Sequence, residues 1–189
     1  MHLVAYSPDG HHIISGSADR SIRIWDPDTS AIVGRPLEGH RSSVWSITYS
    51  PDGCYIVSGS SDNTIQFWDA ETGAAVRKPL EGHRSSVRSV AYSPDGWHIV
   101  SGSGDETIQI WSAATGVAVS DPLKGHFDWV MSVAYSPNSQ HIISGSDDSI
   151  ILTWDAVSGH AVGKPLEYSL CHLSLTLLMV GTLSPDPMT

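Results

Sequence analysis

Serine, histidine and aspartate, the three side chains of a hydrolytic triad, recur together along this sequence of 189 residues. In a triad the histidine takes a proton from the attacking serine, and the aspartate orients the histidine. A tryptophan accompanies each set here. Such residues are either catalytic or a repeated part of the fold. The complete sets are His40, Ser58, Asp62 and Trp68; His83, Ser101, Asp105 and Trp111; and His126, Ser144, Asp148 and Trp154.

Repetition separates these two interpretations. His40, His83 and His126 are spaced by 43 residues, and a further set without a histidine runs from Ser15 to Trp25. A catalytic site needs one set, whereas copies at equal spacing indicate a component that every repeat requires. We therefore predict that the protein is not an enzyme. The alternative from another class is a Ser/His/Asp hydrolase that uses one of the sets.

Four short strands in each repeat must position these residues. In the third repeat, residues 87–92 alternate apolar and polar and stop at the turn Ser93-Pro94-Asp95-Gly96. In the third strand of the repeat, Ile108 and Ile110 are expected on one face and Gln109 on the other. Pro122 indicates that the fourth strand lies at an edge, where a missing N–H is tolerated. The predicted strands are residues 87–92, 98–103, 107–111 and 117–123.

The repeat resembles the WD40 family. A period of about 40–45 residues that opens at Gly-His and passes through Trp-Asp is typical of its blades. The resemblance predicts an all-β propeller, with four blades of four antiparallel strands in a partial, open ring. It also implies that, in blades two to four, the tryptophan N–H bonds to the serine, the serine to the histidine, and the histidine to the aspartate. The predicted blades are residues 1–37, 38–80, 81–123 and 124–166, followed by a non-repeat apolar tail at 167–189.

A narrower resemblance concerns the nearly identical SPDG and IVSGS segments and the Pro-Leu just before each Glu/Lys-Gly-His. These features are similar to repeats of fungal NACHT-type signalling ATPases. A ligand-sensing arm of such an ATPase is therefore an alternative function. The phosphate-binding pattern GxxxxGK[ST] is absent from this sequence, so nucleotide hydrolysis is not assigned to it.

Positions that vary between repeats predict the binding surface. The loop Phe127-Asp128-Trp129 replaces the Arg-Ser-Ser of the two preceding repeats. In the WD40 family these loops and the first-strand starts line one mouth of the ring, and aromatic residues, Met and Arg are enriched at interface cores. The alternative for each residue is ordinary packing in the channel. The residues predicted to bind a partner are His2, Trp45, Arg88, Phe127, Trp129, Met131 and Asp147.

Composition limits the choice of partner and compartment. A net charge of −10 argues against nucleic acid, which is bound mainly through phosphate neutralisation. We expect other proteins or peptides as partners, with no membrane, no metal and no cofactor. Cys54 and Cys171 lie outside the repeating pattern, so no disulfide framework is implied, and no signal peptide is visible. These features predict a cytoplasmic protein, with the nucleus as the alternative compartment.

The repeat is incomplete at both ends of the sequence. Met1 aligns with Val44, inside a first strand, and Tyr168-Ser169 stands where the next Gly-His is due. Stacked repeats bury their faces only against neighbours, so both terminal blades should expose apolar faces. We expect self-association or aggregation. The broken repeat favours a piece of a longer protein over an open four-blade arc or a pair of chains that close an eight-blade ring.

Overall fold

The structure is a computed structural model and describes residues 3–167. These residues form strands and turns, with no helix that could span a membrane among them. The predicted tail lies outside the described residues from 168 onward. The strands of the first two blades are β1 (Leu3–Tyr6), β2 (Ile13–Gly16), β3 (Ile22–Trp25), β4 (Ile32–Leu37), β5 (Val44–Tyr49), β6 (Tyr55–Ser60) and β7 (Ile65–Asp69).

The third and fourth blades repeat this plan, and every sheet is antiparallel with its strands in chain order. The predicted strands at 87–92 and 98–103 are confirmed, and the one at 107–111 is confirmed and extends by one residue. The all-β fold with four successive sheets is thus as expected. The strands are β8 (Val87–Tyr92), β9 (His98–Ser103), β10 (Thr107–Ser112), β11 (Leu123–Lys124), β12 (Val130–Tyr135), β13 (His141–Ser146), β14 (Ile150–Asp155) and β15 (Ala161–Glu167).

The outer strand differs between blades. In blades 1 and 4, Gly34 and Gly163 adopt positive φ, and the outer strand bulges there and then resumes pairing. Arg77 and Ser120 occupy this position in blades 2 and 3, and non-glycine residues disfavour positive φ. Blade 2 therefore has three strands plus isolated bridges. The prediction of a strand at 117–123 is wrong over most of its length, since only the bridge at Ala118 and β11 pair.

The hydrophobic core lies between the sheets. Each of three clusters combines residues of two successive blades, and Trp68, Trp111 and Trp154 each belong to a different cluster. Inner strands pack in series, β1 against β5, β5 against β8 and β8 against β12, and no comparable packing joins blade 4 to blade 1 within residues 3–167. The ring is therefore open.

Glycines in the second strands allow neighbouring sheets to approach closely. A Cβ added to Gly102 would lie 2.6 Å from Val130 Cγ1, and one added to Gly59 would lie 2.6 Å from Val87 Cγ1. Gly16 has the same relation to Val44, at 2.8 Å. The spacing between blades is therefore set by a glycine on one side and a β-branched side chain on the other.

We predict that Gly102→Ala destabilises the protein by about 1–3 kcal/mol, because the added methyl overpacks a filled interface. Denaturant unfolding measures this loss. The control is the double variant Gly102→Ala with Val130→Ala, in which the clashing Cγ1 is removed. Its loss should be smaller than the sum of the two single losses. Simple additivity would contradict the contact.

Candidate functional site

The residues of each complete set lie in one hydrogen-bonded chain. In blade 3, Trp111 Nε1 donates to Ser101 Oγ at 2.8 Å, and the hydroxyl lies 2.7 Å from His83 Nε2. His83 Nδ1 lies 2.9 Å from Asp105 Oδ2. In blades 2 and 4 the corresponding distances are all 2.7–2.9 Å.

One assignment of protons satisfies every group in this chain. The indole N–H donates to the serine oxygen, the serine O–H donates to His83 Nε2, and His83 Nδ1–H donates to the carboxylate. The histidine is then the neutral tautomer. Ser101 is 0% exposed. The order Ser–His–Asp is that of a hydrolase, but the hydroxyl is enclosed and already bonded on both sides, so a substrate has no route to it.

The aspartate joins the chain to the loops at one end of the blade. Asp105 accepts hydrogen bonds from the Arg84 amide at 2.7 Å and the Thr107 hydroxyl at 2.6 Å. Burial by itself would raise the pKa of Asp105, but the hydrogen bonds from His83, Thr107 and Arg84 outweigh it and hold the pKa well below its ordinary value. Glu106, the next residue, adopts a φ of 68°. The tight turn and the loop before β8 are thus fixed to each other.

The other aspartates have related surroundings. The pKa of Asp62 is depressed in the same way, with burial opposed by His40, Thr64 and the Arg41 amide. The pKa of Asp148 is also lowered, although Ile150 replaces the threonine there and donates only its backbone N–H.

In blade 1 the tryptophan keeps its serine partner, but the aspartate pairs with an arginine. Trp25 Nε1 donates to Ser15 Oγ at 2.8 Å, as in the other blades. Asp19 instead pairs with Arg23 Nη2 at 2.9 Å, in a salt bridge that solvent reaches. The indole and the carboxylate are therefore not connected through a histidine in this blade.

Two groups of polar residues were not identified from the sequence. Gln66 and Gln109 are buried beside the histidines, and the sequence did not predict that the Gln109 face of the strand is buried as well. Ser46 and Ser89 accept hydrogen bonds across blades from the amides of Val90 and Val133, at 2.9 and 3.1 Å. Their recurrence in the first strands is the only sequence signal.

The residues predicted at the first-strand starts occupy β-bulges. Pairing of the inner strands skips one residue in each of blades 2, 3 and 4, and the skipped residues are Trp45, Arg88 and Met131. A bulge removes a residue from the ladder and redirects its side chain. The side chains at these three positions can therefore vary without changing how the strands pair.

Arg88 lies between two tryptophans. Its guanidinium carbon is 4.2 Å from the centroid of Trp45 and 4.4 Å from that of Trp129, so the stack joins blades 2, 3 and 4. Trp45 Nε1 donates to Ser61 Oγ, and the indole of Trp129 lies against Gly104, where a Cβ would be 3.5 Å away. Trp45 is thus held within its own blade, whereas Trp129 packs against the neighbouring blade 3.

The guanidinium of Arg88 is incompletely paired. Its Nε is buried and has no hydrogen-bond partner among residues 3–167. Burial lowers the pKa of Arg88, and Asp147 partly offsets this. The guanidinium is therefore stacked between two rings, partly desolvated and short of one acceptor.

The remaining predicted residues surround this stack or lie outside the described residues. Phe127 is 81% exposed, although its backbone amide is bonded to Asp148 at 3.0 Å. Met131 and Asp147 are also exposed. His2 lies outside the described residues. An exposed aromatic ring on a fixed loop is typical of a contact surface.

Two other kinds of site, a metal site and a cavity, were sought among the described residues. Residues 3–167 contain no cluster of three or more His, Cys, Asp or Glu residues that could hold a metal ion. A cavity of about 990 Å³ lies between blades 1 and 2, beside the turns at Pro8 and Gly53. It is at the opposite end of the strands from the Arg88 stack.

We predict that Ser101→Ala lowers the free energy of unfolding by about 1–3 kcal/mol, because Trp111 Nε1 and His83 Nε2 both lose their buried partner. Denaturant unfolding measures the change. The matched control is Ser15→Ala, which removes one partner, from Trp25, and should cost less. Equal losses for the two variants would contradict a role of the histidine in the chain.

We predict that the advantage of Asp105 over asparagine depends on pH. The folded pKa of Asp105 lies below its ordinary value of 3.8, so its stabilising contribution is complete above that value and is lost as pH falls below it. The difference in unfolding free energy between the natural protein and Asp105→Asn should be constant near neutral pH and shrink below pH 3.8. A difference that persists in acid would contradict the network.

Comparison with known proteins agrees with this geometry. The family model described as WD domain, G-beta repeat matches residues 4–26, 32–69, 74–112 and 118–155. Each match after the first begins in the outer segment of one sheet and continues through three strands of the next. A search of curated proteins gave no match. WD40 repeats generally serve as protein-interaction scaffolds and are typically non-catalytic. Because the four matches cover more than half of the chain, the chain belongs to the WD40 repeat family.

Proposed function

We propose that this protein is a non-catalytic recognition module, and that the surface around Arg88 binds another protein or peptide. The observation that carries the proposal is the stack of Trp45, Arg88 and Trp129 across three blades. Tryptophan and arginine are the residue types most often found at energetic centres of interfaces.

The arrangement of the stack favours binding over packing. Arg88 Nε is buried without a hydrogen-bond partner among residues 3–167, and such an unsatisfied group costs the free protein about 1–3 kcal/mol. A carboxylate of a partner would pair with the charge of the Arg88 guanidinium, since Arg88 is partly exposed. The exposed rings of Phe127 and Trp129 would supply apolar contact beside it.

The hydrogen-bonded sets support this function indirectly. Asp105 and Asp148 bond to the backbone of the loops that begin at Arg84 and Phe127. The loops that carry the surface are thereby held in one conformation, which lowers the entropy lost when a partner binds. We assign the three sets this positioning role and assign them no catalysis.

The alternative within binding proteins is a ligand-sensing arm of a NACHT-type ATPase. The near identity of the SPDG and IVSGS segments favours it. The family match concerns WD40 repeats in general, so this narrower assignment stays a prediction, as does the cytoplasmic location. A phosphate-binding loop encoded in the same reading frame would support the arm, and its absence from the full gene would contradict it.

We predict that Trp45→Ala, Trp129→Ala and Arg88→Ala each weaken partner binding by about thirtyfold, because each removes an anchor worth about 2 kcal/mol. Proteins captured by the natural chain are identified by mass spectrometry, and a purified partner is then titrated by calorimetry with each variant.

The control for this experiment is Trp97→Ala. Trp97 is exposed, like Trp129, but it follows the turn at the other end of β8 and β9. It should leave affinity unchanged. If the three Arg88-stack variants kept full affinity for every captured partner, the proposed surface would be wrong.

A further inference from the structure

The first blade exposes two residues whose counterparts in the other blades are buried or partly buried. Val4 is 51% exposed and Tyr6 is 64% exposed. Their counterparts in the second blade, Ile47 and Tyr49, are 2% and 8% exposed and pack against blade 1. Gly10, in the turn that follows, has nothing within 4 Å of an added Cβ, whereas its counterpart Gly53 would contact Pro8. This face of blade 1 thus lacks the neighbour for which its side chains are suited.

The fourth blade exposes the complementary face. Leu166 is 59% exposed, but its counterpart Leu123 is 6% exposed and belongs to the cluster between blades 3 and 4. Ile143 and Ile151 are only partly buried, whereas Val100 and Ile108, which occupy the same positions in blade 3, are 0% exposed.

Hydrogen bonds at equivalent positions cross two of the three internal interfaces. At the interface between blades 1 and 2, Leu3 takes the place of the serine. The Val90 amide donates to Ser46 Oγ between blades 2 and 3, and the Val133 amide donates to Ser89 Oγ between blades 3 and 4. The serine of blade 4 at the position of Ser46 and Ser89 is Ser132. The residue of blade 1 at the position of Val90 and Val133 is Val4. Both belong to the open faces, one as an acceptor and the other as a donor.

We propose that a second copy of this chain covers the open face of blade 1 with its own blade 4. The Val4 amide would donate to Ser132 Oγ of the second copy. The exposed Leu166 would pack against blade 1 of the second copy, as Leu123 packs against blade 4. The two junctions of such a dimer are identical by symmetry, and together they close a ring of eight blades. β-Propellers typically have four to eight blades.

One contact at this junction departs from the internal pattern. Gly116 and Gly159 lie against the outer leucines Leu80 and Leu123 of the preceding blades. Ser30 occupies this position in blade 1, at a φ of 57°. Its Cβ requires the end of the Leu166 side chain to shift. A leucine end that is exposed in the single chain has room to do so.

The test is the mass of the full chain in solution by sedimentation equilibrium, with variants on each face. The natural chain should have twice the 20.3 kDa of one copy. Val4→Asp and Leu166→Asp should each be monomeric, with the dissociation constant raised by about a hundredfold or more, because each buries an unpaired charge. An equimolar mixture of these two variants retains one good face of each kind and should recover a dimer.

The matched control is Val119→Asp, since Val119 is 50% exposed and lies on the outer segment of blade 3. It should remain dimeric. Circular dichroism checks that each variant is folded, as expected for side chains already half exposed. A monomeric natural chain would overturn the proposal, whether the open faces are free or covered by residues 168–189. If the Leu166→Asp variant remained dimeric by itself, the proposal would also be wrong. That result would indicate that the dimer forms through contact between two copies of blade 1.

Discussion

A hydrogen-bonded chain from a buried indole to a carboxylate is the interaction on which the rest of this structure depends. It begins at Trp111 in the core between sheets and ends at Asp105, beside the loops. No part of it can be removed without leaving a buried polar atom unsatisfied. The packing of the sheets and the position of the loops are therefore coupled through the same four side chains.

The sheets themselves are stable only in series. Each hydrophobic cluster needs residues from two blades, and the glycines of β2, β6 and β9 let the next sheet approach closely enough to form it. A single blade would bury neither of its faces. The same dependence explains why the side chains of Val4 and Leu166 are exposed while their counterparts are not.

The sequence predicted the fold well, because period, turn residues and strand alternation are all local signals. Strands β8 and β9 were located to the residue. The outer strand was not, since Val117 to Leu123 has strand composition, and the decisive factor is whether a glycine with positive φ is present at the position of Ser120. The environment of Gln109 was also missed, because alternation gives the face of a side chain but does not show that both faces are covered.

The candidate surface was predicted residue by residue but not as a geometry. Variation between repeats pointed to Trp45, Arg88 and Trp129 separately. That they form one stack depends on the curvature of the ring, which brings three blades together at positions more than 40 residues apart in the sequence. The unpaired Nε of Arg88 could not be predicted, because hydrogen-bond satisfaction depends on coordinates.

Because Trp45, Arg88 and Met131 lie at bulges, the surface residues of a blade are distinct from the residues that pair its strands. If repeats of such a gene recombine in register, the exchange keeps the strand pairing and the serine–histidine–aspartate–tryptophan sets of the blades while it permutes the displayed residues. Such a gene can therefore generate new combinations of surface side chains in one step, and the recombined protein still folds.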